Sequence, residues 1–118
     1  QQYAHKNKVA VRISAMCLAA ANGDLESMQK LMAAGLTVDA TDYDGRTALH
    51  IAVANGQLEV VQFLLSARAD VQAVDRWGHT VMDEATNGNF HDLQSVLRLA
   101  GAEHGATPRG ASPAFVRG

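Results

Sequence analysis

A chain of 118 residues has room for one domain, and its 47% apolar content is enough for a core. Aromatics are only 5%, so that core must be built from Ala, Leu, Val and Met, which favours closely packed helices over a sheet sandwich. Lys6, Lys8 and Arg12 stand without an acid in residues 1–12, whereas residues 13–102 hold five basic and eleven acidic side chains, a balance that argues against phosphate-backbone binding.

Residues 1–12 are polar and then basic-apolar, and are expected either to extend a first helix or to serve as a linker. The next ninety residues repeat. Asp42-Tyr43-Asp44-Gly45-Arg46-Thr47 and Asp75-Arg76-Trp77-Gly78-His79-Thr80 match at an offset of 33. Stepping back by the same interval from Ile51-Ala52 gives Leu18-Ala19, and from Gly56 gives Gly23. Three copies follow, at 13–41, 42–74 and 75–102. In the third, Gly88 is matched with Gly56, which requires one residue fewer than in the second.

Each copy predicts the same local structure. Thr47 is suited to cap a helix starting at Ala48, and Leu49, Ala52 and Val53 share one stripe of it. Gly56 supplies a left-handed stop. Leu58, Val61, Leu64 and Leu65 then give the stripe of a second helix, so close behind the first that the two must run antiparallel. Ala69 to Val74 leads into Asp75-Arg76-Trp77-Gly78, which carries turn or hairpin chemistry. Helices this short cannot bury their stripes alone, but stacked pairs can, which is how a solenoid folds. Residues 103–118 contain both prolines and little apolar content, and are expected to form a disordered tail.

The pattern Asp42-x-x-Gly45-x-Thr47-x-Leu49-His50-x-Ala52-x-x-x-Gly56, with its period of 33, resembles the ankyrin repeat over residues 14–102. The implied fold is all-α, an ankyrin solenoid of stacked helix-turn-helix pairs with short β-hairpin loops. Strings such as Leu18-Ala19-Ala20-Ala21-Asn22-Gly23-Asp24-Leu25 and Met82-Asp83-Glu84-Ala85 also resemble the C-terminal ankyrin segment of glutaminases. Similar strings occur in plant integrin-linked-type kinases and plant potassium channels.

The resemblance implies a module that binds a partner protein. Its ligand-facing positions carry over to Tyr43, Asp44, Arg46, Ala54, Asn55, Val74, Arg76, Trp77, His79 and Asn87. The alternative it implies is a regulatory or oligomerising module appended to an enzyme or channel, with an attached domain or a second copy as partner. The start at Gln1-Gln2 without methionine fits a piece of a longer protein. Trp77 has two readings, a recognition tip with Arg76 or a ring laid over the preceding loop near Tyr43.

This sequence departs from the family in three ways. Ala48 and Val81 stand where Pro is usual. Asp83 replaces the His of the third copy, so the tie made by His50 to Thr47 is expected to be absent or altered there. Arg68 stands where Gly35 and Gly101 hold a helix-ending glycine, and is expected to be a strained stop.

Nothing in the pattern points to catalysis, and the chain is not expected to be an enzyme. The Asp42-x-Asp44-Gly45 string lacks a calcium loop's first and twelfth ligands, which would fall at Ala40 and Ile51. Cys17 and His50 occupy equivalent positions in neighbouring copies, about 10 Å apart by helix packing, so Cys17 is taken as a core filler. Asp83 and Glu84 point about 100° apart on a helix and do not make a proton-sharing pair. His79, His91 and His104 have no metal-ligand spacing with one another or with the cysteine. No phosphate loop is present, and no cofactor or metal is assigned. A lone cysteine excludes an internal disulfide and favours a reducing, intracellular compartment, the cytoplasm before an organelle. No run is long enough to insert in a membrane.

Overall fold

The computed structural model describes the backbone of residues 2–102, with side chains from Val9 onward. The tail expected at 103–118 lies outside the described residues. Among the described residues six helices run in order: α1 (Gln2–Asn22), α2 (Leu25–Ala33), α3 (Ala48–Ala54), α4 (Leu58–Ser66), α5 (Val81–Asn87) and α6 (His91–Leu99). They form three antiparallel pairs, α1 with α2, α3 with α4 and α5 with α6. The pairs stack through their first helices, so that α3 sits between α1 and α5. Among the described residues there is no β-strand. The expected hairpins are tight turns closed by two backbone bonds apiece: Asp42 N–H to Arg46 C=O and Gly45 N–H to Asp42 C=O, both at 3.0 Å, and Asp75 N–H to His79 C=O at 3.0 Å with Gly78 N–H to Asp75 C=O at 2.9 Å. We call these turns the first and second fingers.

Threonine sets the starts of α3 and α5. Thr47 and Thr80 are extended residues whose hydroxyls accept the backbone N–H of His50 and Asp83, three residues on. In return the side chains of His50 and Asp83 accept the threonine N–H. This reciprocal cap satisfies two of the donors that a helix N-terminus leaves open. It begins both helices without the proline usual in the family. The tie of the third copy is therefore altered rather than lost, because a carboxylate oxygen takes the place of an imidazole nitrogen.

The third copy is not shortened. Helices α2, α4 and α6 begin at Leu25, Leu58 and His91, at an unbroken interval of 33. The left-handed residues that precede them are Gly23 (φ 75°), Gly56 (φ 68°) and Asn89 (φ 58°). Asn89, not Gly88, is thus the counterpart of Gly56, because asparagine tolerates this backbone. Gly88 is the right-handed C-cap of α5 (φ −87°). At the other end of the pairs, Arg68 (φ 67°) takes the conformation that Gly35 and Gly101 adopt freely, as its sequence position implied.

The core runs through all three pairs and includes Ala20, Met28, Leu49, Ala52, Val53, Val61, Leu64, Val81, Ala85 and Leu97. Burying one Leu or Met side chain contributes about 1.5–3 kcal/mol relative to exposure. Small residues on the first helices (Ala19, Ala20, Ala48, Ala52, Ala85) let the stacked backbones approach closely. The stripe expected on α4 is rotated slightly: Val60 is buried with Val61 and Leu64, while Leu58 lies exposed at the helix start. In the first pair Leu18 is 64% exposed and Cys17 only half-buried, so Cys17 fills the edge of the core rather than its centre. Helix α1 has 21 residues against seven in α3 and α5. The described N-terminal residues are continuous with the first helix, which begins at Gln2.

Candidate functional site

The two fingers are built alike. In the first, Asp42 Oδ1 accepts the N–H groups of Asp44 and Arg46, each at 2.9 Å. In the second, Asp75 Oδ1 accepts those of Trp77 and His79, also at 2.9 Å. An aspartate at the first turn position thus ties down both sides of the tip with one oxygen. Asp42 Oδ2 is taken by the Arg46 guanidinium, with Nε and a terminal nitrogen each at 3.0 Å. Burial pushes the Asp42 carboxyl up, but the backbone and side-chain bonds from Arg46 and the Asp44 N–H outweigh it and hold it below its ordinary value.

The fingers are also joined to each other. Arg76 N–H donates to the Asp44 carbonyl at 2.8 Å, and its guanidinium lies 3.4 Å from Asp44 Oδ1. Deeper down, the fully buried His50 spans the two repeats. Its Nδ1 accepts the Thr47 N–H at 3.2 Å, and its Nε2 lies 3.0 Å from the His79 carbonyl. That pair of partners requires the proton on Nε2. His50 therefore caps its own helix and holds the base of the next finger in one step.

On this frame the residues named from the sequence fall into two groups. Tyr43, Asp44, Arg46, Arg76, Trp77 and His79 lie on the two joined fingers, with Val74 at the base of the second. Tyr43 is wholly exposed (104%) and Trp77 is 57% exposed, so Trp77 does not cover Tyr43. The Arg76 guanidinium stands over the Trp77 ring at 5.4 Å, a cation–π contact. Asp44 and Arg46 are half-exposed because they serve the turn and the neighbouring finger.

Ala54, Asn55 and Asn87 are exposed at the far ends of α3 and α5, about 10 Å along the helix from the fingers by the rise per residue. The Asn55 side chain is already engaged, donating to the Ile51 carbonyl at 2.8 Å. Sequence reasoning missed the wall of α1. Ala10, Ile13 and Ser14 face Thr41, Tyr43 and Asp44 across a cleft of about 490 Å³. The basic-apolar run at residues 8–12 was the only sign of it.

A family model for ankyrin repeats in three copies matches residues 16–108, well over half of the chain. The chain belongs to the ankyrin-repeat family. No curated protein matches it. Ankyrin repeats are a non-catalytic module family that generally serves protein–protein interaction, and the geometry here agrees with that role. Burial pushes the Cys17 thiol up, the Asp42 carboxylate adds to this and Arg46 opposes it, so the thiol is not primed as a nucleophile. Among the described residues, no helix of this ankyrin array is long and apolar enough to cross a membrane.

Proposed function

We propose that this array binds a partner protein through its finger tips, with Arg76 and Trp77 at the centre and Tyr43, Asp44, Arg46, Val74 and His79 around them. The observation that carries this reading is Trp77 itself. It is a large aromatic on a turn fixed by four backbone and side-chain bonds, yet more than half of it faces solvent. A rigid exposed Trp beside Arg is the composition of binding hot spots, and little ordering entropy is lost when it docks. The acidic body of the array suits a partner with a basic face. Ala54, Asn55 and Asn87 supply a second, more distant line along the first helices.

The test starts from a partner captured with this chain as bait and identified by mass spectrometry. Trp77→Ala is expected to weaken its binding by about 2 kcal/mol or more, while folding stability moves by no more than about 0.5 kcal/mol. An unchanged affinity for the folded variant removes Trp77 from the surface and moves the site to Ala54 and Asn55.

A second reading is docking onto a domain of the same polypeptide, of the kind that the glutaminase-like strings suggest. One observation supports it: α1 is unbroken from Gln2 to Asn22. A helix, unlike a flexible linker, would hold an attached domain at a fixed distance and angle.

A further inference from the structure

We infer that the second finger is a binding site for one borderline divalent transition-metal ion such as Zn²⁺, held by Asp75, His79 and Glu84. One ligand atom from each residue lies within 4.8 Å of the others. Ligands around a shared zinc at roughly 2.0–2.2 Å stand at most about 4 Å apart, so a modest turn of the half-exposed His79 and Glu84 side chains closes the set. Asp75 supplies the fixed member. Its side chain is 98% buried, with 2% of its surface exposed, and both hydrogen bonds to its carboxylate end on Oδ1. Its Oδ2 lies 3.7 Å from His79 Nδ1, beyond hydrogen-bond distance but within ion-pair reach.

The backbone of His79 is equally fixed. Its N–H is held by Asp75 Oδ1, and its carbonyl by the Asp75 N–H and His50 Nε2. Two ligands thus sit on one rigid turn with their supporting bonds already made, the arrangement that orients metal ligands in proteins. The first finger is an internal control. There Arg46 and Ile51 occupy the positions of His79 and Glu84, and the guanidinium neutralises Asp42 directly. In the second finger that built-in cation is replaced by an imidazole and a second carboxylate, which together favour an external one.

The donor set identifies the ion. Imidazole with two carboxylates suits Zn²⁺ or Co²⁺, whereas Mg²⁺ and Ca²⁺ prefer all-oxygen shells. Three protein ligands leave a fourth position for water or for a side chain from outside. The histidine and cysteine spacing hid this set, because two of its ligands are carboxylates and Glu84 joins from the following helix. This inference does not rest on the proposed partner, and its test uses none.

The full 118-residue chain, stripped with a chelator, is titrated with ZnCl₂ by calorimetry, and the His79 imidazole is followed by NMR. One saturable site is expected, with a shift at His79, a raised melting temperature, and no comparable binding of MgCl₂ or CaCl₂. H79R installs the side chain of the first finger and E84Q removes a charge. Each is expected to weaken Zn²⁺ binding tenfold or more with the metal-free melt unchanged, while His91→Ala leaves it intact. Equal Zn²⁺ affinity in parent, H79R and E84Q, or no shift at His79, overturns the site. Should either variant fold poorly, the parent's His79 shift alone decides.

Discussion

The two fingers share a backbone and differ in what their side chains do with it. Both are closed by an aspartate oxygen that takes two N–H groups, and both lead into a helix capped by threonine and its third neighbour. In the first finger every strong polar group is then consumed internally: Arg46 neutralises Asp42, and His50 reaches across to the next repeat. In the second, His79 and Glu84 stand where Arg46 and Ile51 stand in the first, Asp83 replaces the histidine, and Trp77 stands outward where the first finger has Asp44. A repeat array can thus devote one copy to holding itself together and leave its neighbour's tip for a ligand, because the turn needs only its Asp, Gly and Thr.

The sharpest way to break this comparison is to remove the two cap side chains in parallel. His50→Ala deletes a buried ring, one helix cap and the bond to the His79 carbonyl. The expected cost is about 2–4 kcal/mol, from the cavity and the buried carbonyl left unsatisfied. Asp83→Ala removes the reciprocal cap of α5 and is expected to cost about 1 kcal/mol. Denaturant melts of both variants decide it. Equal losses would mean that the cross-repeat arm of His50 contributes nothing, and that the two fingers are joined by Arg76 and Asp44 alone.

Acid titration tests the ion pair of the first finger, with a smaller expected effect. Asp42 is held below its ordinary carboxyl value, so its contribution is fully present above the unfolded value near 3.9. It is lost as pH falls through the lower folded value. Arg46→Ala removes the paired guanidinium and is expected to cost about 1 kcal/mol or less near neutrality, as partly exposed pairs do. It should also flatten the loss of stability below about pH 4. Melting temperatures of parent and variant across that range test this. Parallel curves would show that the Asp44 and Arg46 backbone N–H groups, not the guanidinium, hold the Asp42 carboxyl down.

Much of this was legible in the sequence because the repeat restates each structural demand. Thr47 and Thr80 at equivalent positions announced both helix starts, and Arg68 in a glycine's place announced its backbone. Other features left no such trace. Asn89 adopts the left-handed conformation through a side chain that serves many other roles, so the neighbouring Gly88 drew the alignment one residue out of step. Val60 outranks Leu58 in burial because the rotation of α4 is set by packing, not by which residue is more apolar. Nothing in residues 1–12 distinguishes a helix that continues α1 from a linker. For the binding surface the sequence named residue types, but only the fold shows that the fingers form one joined group and that Ala54, Asn55 and Asn87 lie apart from it.

The smallest expected effect concerns the two left-handed residues that are not glycine. Arg68 (φ 67°) and Asn89 (φ 58°) adopt nearly the same backbone, yet the cost differs with the side chain. A long side chain on Cβ is strained there, whereas asparagine hydrogen-bonds locally and visits the region routinely. Arg68→Gly relieves the strain but also loosens the unfolded chain, and the net is expected to be a stabilisation of about 0.5–1 kcal/mol. Asn89→Gly relieves little and loosens the unfolded chain equally, so its net should lie within a few tenths of a kcal/mol of zero. Chemical denaturation with the slope held in common reads both. A stabilised Asn89→Gly variant equal to Arg68→Gly would show that the strain belongs to the backbone of any residue with a Cβ. A destabilised Arg68→Gly variant would show that the Arg68 side chain contributes more than its conformation costs.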